Sequence, residues 1–178
     1  MAEIPEFDFD AVRKATHKEW NKLLGRVDVE TTNETDKAIF YTAMYHSMIA
    51  PMLFSDINGD YRGADDKVYN SPTPRYTCFS LWDTYRAEHP FMNIIQPQRS
   101  ADMVQSMIRH QQQSVHGMLP IWSHMGNENW CMSGYHAVPV LADAIVKGIY
   151  DASDDAFSAM VSTSTVPYYS GLGEYMEL

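Results

Sequence analysis

The sequence predicts an all-α fold in which successive amphipathic helices are joined by some long loops. Apolar residues recur three or four positions apart in six segments, the spacing that places them on one face of a helix. Glycine or proline stands near the ends of several of these segments. No pair of neighbouring segments alternates convincingly between apolar and polar residues, as half-buried strands do. We therefore expect helices to bury the core.

The first two predicted helices span residues 10–24 and 36–49. Gly25 supplies a stop for the first helix, and Pro51 ends the second because proline cannot continue a helix. The inward-facing residues are Val12, Ala15, Trp20, Leu23 and Leu24 in the first helix and Ile39, Phe40, Met44 and Met48 in the second.

Two long predicted loops, residues 50–80 and 117–131, lack clear periodicity. In the first loop, Asn58-Gly59 is a strong turn signal, and the Ser-Pro-Thr-Pro stretch at 71–74 continues the irregular chain. Both loops are rich in aromatic and polar residues. Because long irregular loops in compact domains usually carry function, we interpret both loops as functional.

Four further helices are predicted at residues 80–89, 97–116, 132–149 and 153–161. Pro97 opens the second of these at a first-turn position, where its missing N–H costs no hydrogen bond. Pro139 falls inside the third, which it should kink. Predicted inward residues include Met103, Val104, Met107 and Ile108 in the second and Ala156, Phe157 and Met160 in the last.

Composition narrows the classes of function. A chain of 178 residues can bury a sizeable core, so we expect one domain over residues 1–178. The formal net charge of -10 argues against binding nucleic acid or an anionic membrane through charge. No apolar run approaches the roughly 20 residues of a membrane span, and the acidic start MAEIPEFDFD lacks the layout of a signal peptide. Neutral substrates and metal cations remain compatible partners.

Trp82, Asp83 and Arg86 share one face of the third predicted helix, because they stand three and four positions apart. Two interpretations stay open from spacing alone. An Asp83–Arg86 ion pair beside an aromatic ring would contribute roughly 0.3–0.5 kcal/mol. Alternatively, the three side chains form a sugar subsite. An aromatic face binds the apolar side of a pyranose, while a carboxylate and a guanidinium hydrogen-bond its hydroxyls.

The stretch GNENWCMSGYH, residues 126–136, sets Glu128 between two asparagines just before the fifth predicted helix. The helix offers one explanation, because Asn127 or Asn129 can cap it and an acid near its positive end is favourable. Catalysis offers the other, since a general acid is a carboxyl group that holds its proton near neutral pH, and Trp130 supplies an apolar neighbour. The pattern alone slightly favours the helix explanation.

The segment Asp56-Ile57-Asn58-Gly59-Asp60 superficially resembles a calcium loop but fails on spacing. Such a loop needs glycine at its sixth position and a carboxylate at its twelfth. Counted from Asp56, those positions hold Tyr61 and Lys67. We therefore predict a turn, in which one calcium contact from Asp56 or Asp60 is the weaker alternative.

Three long ordered blocks carry a resemblance to a known family. They are FYTAMYHSMIAPMLFSDINGDYRG (40–63), YTCFSLWDTYRAEHPFMNIIQPQRSADMVQSMI (76–108) and LPIWSHMGNENWCMSGYHAVPVLADAIVKGI (119–149). Together they resemble the glycoside hydrolase family 92 mannosidases, over roughly residue 8 to the C-terminus. The resemblance implies part of an (α/α)6 toroid built from helical hairpins with long functional loops. It also implies exo-acting, inverting hydrolysis of α-mannosides, often α-1,2 links of N-glycans or mannan, with a bound calcium ion.

Residue by residue, the resemblance places the general acid of the family at Glu128, which reverses the preference drawn from pattern alone. Asp83, beside Trp82, would lie in the mannose subsite and hydrogen-bond sugar hydroxyls. Arg86 would hold Asp83 or contact the ligand, and Asn127 is a weaker candidate neighbour. The full-length enzyme is expected in the periplasm or outside a bacterial cell, as most relatives are exported.

The sequence departs from the family pattern in one respect that matters for chemistry. An inverting glycosidase also needs a general base, which the family supplies from an aspartate motif of the kind GNDDCG, and that motif does not occur here. The family's N-terminal β-sandwich and the segments expected to supply much of the calcium site do not occur either. We therefore expect a fragment of the catalytic domain whose exposed apolar surface favours self-association.

Three rival functions follow. A mannose-binding module would grip the sugar without chemistry, since the base is missing. A helical interaction domain would use its aromatic loops to contact protein and bind no sugar. Another toroid glycosidase, such as a glucosidase or a trehalase, is disfavoured by the joint presence of FSLWDTYRAEHP and GNENWCMSGYH.

Overall fold

The computed structural model describes residue 4 and residues 6–166. Within these residues the chain forms seven helices and six short strands. Contacts divide it into two compact units, one up to Ala50 and one from Pro51 onward. The expectation of one domain over residues 1–178 stays a prediction.

The first unit contains helices α1 (Phe9–Leu24) and α2 (Glu34–His46). Asp8 caps α1 by accepting a hydrogen bond from Ala11 N at 3.0 Å, and Asn33 caps α2 through Thr35 N at 3.0 Å. Helix α2 therefore starts two residues before its predicted position, and it ends at His46 rather than at Ile49.

The predicted inward face of α2 is partly wrong. Met44 is buried, whereas Ile39 is exposed. Five positions on a helix correspond to about 140° of rotation, so these two side chains point in different directions. The loop between the helices is tied to α2 by Tyr41, whose hydroxyl donates to Val27 O at 2.9 Å.

The second unit contains five helices, α3 (Leu81–Thr84), α4 (Glu88–Ile95), α5 (Pro97–Gln113), α6 (Ala137–Val146) and α7 (Asp154–Thr165). The predicted helix at 80–89 is thus two helices, and Pro90 is the third residue of α4. Pro139 is likewise the third residue of α6, so the predicted kink is wrong. In both helices the proline lies in the first turn, where backbone N–H groups have no partner within the helix.

Helix α5 lies at the centre of the second unit, in contact with α4, α6 and α7. Its predicted inward residues are confirmed, since Met103, Val104, Met107 and Ile108 are all buried. Burying each such side chain contributes about 1.5–3 kcal/mol. The core around them also contains Phe79, Leu81, Leu119, Ala137, Val140, Leu141, Ala144, Ala156 and Ala159.

The inward face of α7 differs from the prediction at one position. Ala156, Ala159 and Thr163 are buried, at spacings of three and four, whereas Phe157 is exposed. Residue 157 follows 156 by about 100° of helix rotation, which turns its ring away from α5 and α6. Ser153 caps the helix through Ala156 N at 3.1 Å, and Asp154 and Asp155 occupy its first turn.

Six short strands correct the all-α prediction. They form three antiparallel pairs, β1 (Met52–Leu53) with β4 (Tyr76–Thr77), β2 (Asp60–Arg62) with β3 (Val68–Asn70), and β5 (Ser123–His124) with β6 (Asn127–Glu128). All lie within the two loops that the sequence marks as irregular. Strands of two or three residues are too short for an alternating pattern to reveal them.

The predicted turn at Asn58-Gly59 is confirmed. Asp56 N donates to Asp60 O at 2.8 Å, and Gly59 has φ 88°, a conformation that glycine adopts without strain. Strands β2 and β3 are joined by residues 63–67, where Gly63 N donates to Lys67 O at 2.8 Å. Tyr61 pairs with Tyr69 in this hairpin, and the two rings stack with centroids 5.8 Å apart. Within the described residues, no helix combines the length and apolarity needed to cross a membrane.

Candidate active site

The strands β5 and β6 form a hairpin whose two turn residues are Met125 and Gly126. Their φ angles are 50° and 85°, the sign pattern of the type I′ turns that suit two-residue hairpins. A Cβ at Gly126 would lie 3.1 Å from the Phe54 ring and 3.3 Å from Arg62 O, so glycine is needed there for space as well as conformation. The hairpin positions Glu128 at the end of β6.

The carboxylate of Glu128 organises the chain around this hairpin. Its Oε2 accepts a hydrogen bond from Ile121 N at 2.8 Å. Its Oε1 accepts from three backbone groups, Trp122 N at 2.9 Å and Asn129 N and Trp130 N at 3.1 Å each. The side chain is only 5% exposed. Because an ionised carboxylate offers only acceptors, four N–H donors satisfy it without any side-chain cation.

His110 on α5 is the nearest titratable neighbour of Glu128. Its Nε2 lies 3.9 Å from Glu128 Oε2, and its side chain is 10% exposed. Burial, together with the nearby charge of Arg75, lowers the pKa of His110 to about 4. His110 is therefore neutral at pH 7 and gives Glu128 no cationic partner.

The helix explanation for Glu128 is wrong. Helix α6 begins at Ala137, well beyond the hairpin, and its N-cap residue His136 makes no side-chain capping bond. Asn127 and Glu128 together form β6 instead. Asn129 accepts a hydrogen bond from Cys131 N at 2.9 Å, which closes a local turn.

Two successive side-chain hydrogen bonds connect this hairpin region with α3. Trp122 Nε1 donates to Ser80 Oγ at 2.8 Å, and Ser80 Oγ donates to Asp83 Oδ2. The backbone N–H of the same Trp122 donates to Glu128. Trp122 therefore connects the two acids: its backbone N–H binds Glu128, and its indole N–H binds Ser80, which in turn binds Asp83. Ser80 was missed from the sequence, although it stands only three residues before Asp83.

The Asp83–Arg86 ion pair is not formed. Asp83 accepts from Ser80, and the Arg86 guanidinium lies over the ring of Tyr85, 5.8 Å from its centroid. Arg86 falls beyond the end of α3, so the helical spacing that would align the two charges does not extend to it. Trp82 is 48% exposed, which leaves part of its indole available to a ligand.

Two cavities lie near these residues, and neither is lined by Trp82, Asp83 or Glu128. The larger, of about 400 Å³, is lined by Phe54, Asp56, Asp60, Tyr61, Arg62, Val68 and Met125. This volume falls in the range of small-molecule sites. The smaller, of about 20 Å³, includes Arg75 and His110 in its wall.

No group of three or more His, Cys, Asp or Glu side chains that could hold a metal ion occurs among the described residues.

Comparison with known protein families identifies the family of this chain. The whole of residues 1–178 matches the family described as glycosyl hydrolase family 92 catalytic domain. The chain belongs to glycoside hydrolase family 92.

Solved members of family 92 share its fold. The α-mannosidase BT3965 from Bacteroides thetaiotaomicron is similar with a TM-score of 0.90 and 43% identity, over 98% of this chain and 24% of that chain. It has also been solved in complex with mannoimidazole. The inverting mannosidase BT2199 from the same organism is similar with a TM-score of 0.83 and 28% identity, over 99% of this chain and 25% of that one. No curated protein sequence matches.

This family 92 chain therefore spans about a quarter of the length of these solved relatives. The resemblance drawn from the three sequence blocks is confirmed at the level of the family. The roles of Trp82, Asp83, Arg86, Asn127 and Glu128 stay predictions, because the comparisons assign no residue.

Proposed function

We propose that this chain is part of the catalytic domain of an inverting exo-α-mannosidase that removes terminal mannose, preferentially α-1,2-linked, from N-glycans or mannan. This proposal rests on the 43% identity to an α-mannosidase over 98% of the chain, together with the inverting activity named for a second relative. Residues 1–178 would form part of an (α/α)6 toroid. The same resemblance underlies our proposals of export from a bacterial cell and of self-association through exposed apolar side chains.

In this proposal Trp82 and Asp83 bind the terminal mannose. The exposed part of the Trp82 indole would stack on the apolar face of the pyranose. Asp83 is held by Ser80 through one of its two oxygens, which leaves the other oxygen as an acceptor for sugar hydroxyls. Arg86 and Asn127 would contact the ligand from the edges of the subsite.

Glu128 is proposed as the general acid that protonates the departing glycosidic oxygen. A carboxyl group that donates a proton must turn one oxygen away from the N–H groups around it, since these groups cannot accept. Oε2 has one N–H donor and Oε1 has three. We therefore assign the acid proton to Oε2, which gives up only the bond from Ile121 N.

Inversion also requires a carboxylate base about 6.5–9.5 Å from the acid, with room for a water molecule between the two. We assign this role to no residue of the chain. Calcium is proposed from the family alone. The described residues bring no three acidic or histidine side chains together, so we derive no step through the ion and propose that its ligands lie largely outside them.

A non-catalytic mannose-binding role is the second candidate. One observation favours it, namely that all four N–H donors around Glu128 are satisfied by an ionised carboxylate. A carboxylate held in this way supports the hairpin without any chemistry.

Calorimetry and a hydrolysis assay on the same preparation test both candidates. The ligands are α-1,2-mannobiose and mannoimidazole, and the variants are Trp82→Ala and, as a matched control, Phe157→Ala, which removes another exposed ring. We expect binding that is weakened in the Trp82 variant and kept in the control. Binding with turnover supports the mannosidase, binding without turnover supports the binding module, and the absence of any binding overturns both.

A further inference from the structure

The small cavity of about 20 Å³ lies between β4, β2 and helix α5. Its wall includes Arg75, Thr77, His110 and Gln113. A volume of this size is sufficient for one water molecule or for a monatomic ion. The cavity is separate from the contacts proposed for mannose, and the inference does not depend on the proposed function.

Arg75 is a buried cation in this wall with no carboxylate partner among the described residues. Its side chain donates to Gln105 O and Ser106 O, each at 3.0 Å, from its two terminal nitrogens. Its guanidinium lies over the Tyr61 ring, 4.7 Å from the centroid. The residue is only 4% exposed, and its Nε finds no hydrogen-bond partner within the described part of the chain. A buried donor of this kind is costly unless something accepts its proton.

Burial does not remove the charge of Arg75. Desolvation lowers its pKa to about 10, an effect that the Tyr61 hydroxyl opposes and the neighbouring Arg109 reinforces. The guanidinium is thus still protonated at pH 7. Two carbonyl oxygens and an aromatic ring stabilise it but carry no net negative charge.

Thr77 supplies a second donor on the same side. It follows Arg75 by two positions along the β4 segment, so the two side chains share one face of the strand. Thr77 is buried, and its Oγ1 has no hydrogen-bond partner in the residues that the structure describes. Both atoms without partners therefore belong to residues that line the same cavity.

The wall of the cavity as a whole carries positive rather than negative charge. It contains Arg62, Arg75 and the neutral His110, and none of its residues is Asp or Glu. Arg62 is already paired with Asp66 at 3.1 Å near the surface. The unpaired positive charge at the cavity is therefore that of Arg75, in a setting of low dielectric where charge interactions are strong.

We propose that this cavity binds one monovalent halide ion, with Arg75 Nε and Thr77 Oγ1 as its hydrogen-bond donors. The ion would neutralise a buried guanidinium and satisfy two donors at once. A monovalent halide matches the single uncompensated charge of Arg75 and can accept from both donors at once. The site adjoins the Glu128 region through His110, which belongs both to the cavity wall and to the surroundings of the Glu128 carboxylate.

Crystals of the unaltered chain grown in sodium bromide provide the direct test. We expect a bromine anomalous difference peak in the cavity, within hydrogen-bonding reach of Arg75 Nε and Thr77 Oγ1. An ordered water molecule at that position, with no anomalous signal, overturns the proposal. This experiment needs no variant, so it does not depend on whether a substitution folds.

A titration in solution provides the second test. The line width of the chloride NMR signal reports halide binding as chloride is added to the protein. Thr77→Val removes one hydroxyl donor at constant shape, and we expect about tenfold weaker binding, the loss of one hydrogen bond to a charged partner. Thr165→Val, which removes an exposed hydroxyl at the end of α7, should leave the titration unchanged. Equal titrations for all three proteins, or none that saturates, would contradict the site.

Discussion

The indole nitrogen of Trp122 donates a hydrogen bond to Ser80 Oγ at 2.8 Å, and this bond joins the Glu128 hairpin to the start of helix α3. The two segments lie about forty positions apart in sequence, yet they carry the acid and the sugar-binding residues that we propose. This bond therefore helps to fix the relative positions of these groups, together with the core residues Phe79, Leu81 and Leu119.

Removing either partner of this hydrogen bond should lower the free energy of unfolding, and the two losses should not be additive. Trp122→Phe and Ser80→Ala should each lower the free energy of unfolding by about 0.5–1.5 kcal/mol, since each removes one partner. The double variant should lose less than the sum of the two, because the bond can be lost only once. Urea unfolding of the four proteins measures this coupling. Strict additivity would show that the bond contributes nothing.

Glu128→Gln should destabilise the chain even before any activity is considered. A carboxamide presents one oxygen and one NH2 group to a site that contains four N–H donors, so even in its better orientation Ile121 N loses its acceptor and faces another donor. We expect a loss of roughly 2–3 kcal/mol in the free energy of unfolding. Glu30→Gln, at an exposed position, is the matched control.

An unchanged unfolding curve for Glu128→Gln would mean that these N–H bonds form no essential part of the fold. If the loss is found, any fall in turnover for this variant must be scaled to the fraction of protein that is folded. The acid role then requires a larger loss with poor leaving groups than with activated aryl mannosides.

His89 should make the chain less stable as the pH falls from neutral to about 4. It is buried in α4, and desolvation lowers its pKa from 6.5 to about 4. Between these two values the unfolded chain binds the proton and the folded chain does not. The effect of His89 on stability is therefore most favourable above pH 6.5 and declines toward pH 4. The decline should be about 2–3 kcal/mol.

Urea unfolding at several pH values measures this effect in His89→Gln. The variant should be less sensitive to pH between 4 and 6.5 than the unaltered chain. His17→Gln, at an exposed position of α1, serves as the comparison and should keep the original sensitivity. If His89→Gln shows the full original decline, the buried imidazole is not its source.

Glu88 should act in the opposite direction. Burial raises the pKa of this carboxyl to about 7 from its ordinary value of 4.5, and its Oε1 has no hydrogen-bond partner among the described residues. In that interval the folded chain binds the proton and the unfolded chain does not. The effect of Glu88 on stability is therefore most favourable below pH 4.5 and becomes unfavourable as the pH rises toward 7.

Replacing Glu88 by Gln should therefore raise the free energy of unfolding at pH 8 by roughly 1–2 kcal/mol, with little change at pH 4. Glu30→Gln at both pH values provides the reference for loss of an exposed acid. A variant that is equally or less stable at pH 8 would show that the Glu88 carboxylate finds compensation in the folded state.

The sequence predicts the helices well where a long apolar face defines them. Helix α5 has such a face over four turns, with Pro97 at its start, and its buried apolar residues were all anticipated, whereas the buried polar residues Ser100, Asp102 and Ser106 were not. The break between α3 and α4 was not predicted. Pro90 lies in the first turn of α4, but without knowledge of where α4 begins it was interpreted as the end of the preceding helix. Strands of two residues leave too little pattern to be recognised.

The site was only partly predictable, for a physical reason. The placement of Trp82 and Asp83 on one helix was predicted, but the contact between Ser80 and Asp83 was not. The partners of Glu128 depend instead on backbone geometry, since Met125 and Trp130 both adopt positive φ and turn the N–H groups inward. Such conformations are uncommon for these residue types, and no side-chain pattern encodes them. His110 approaches Glu128 from another part of the chain, which spacing does not reveal either.

A carboxylate shared by four amides also has a dynamic consequence. Residues 121, 122, 129 and 130 come from both sides of the hairpin, and each amide proton is protected by the same two oxygens. Withdrawal of that one side chain exposes all four protons together, so this segment should open as one cooperative unit rather than fray from either end.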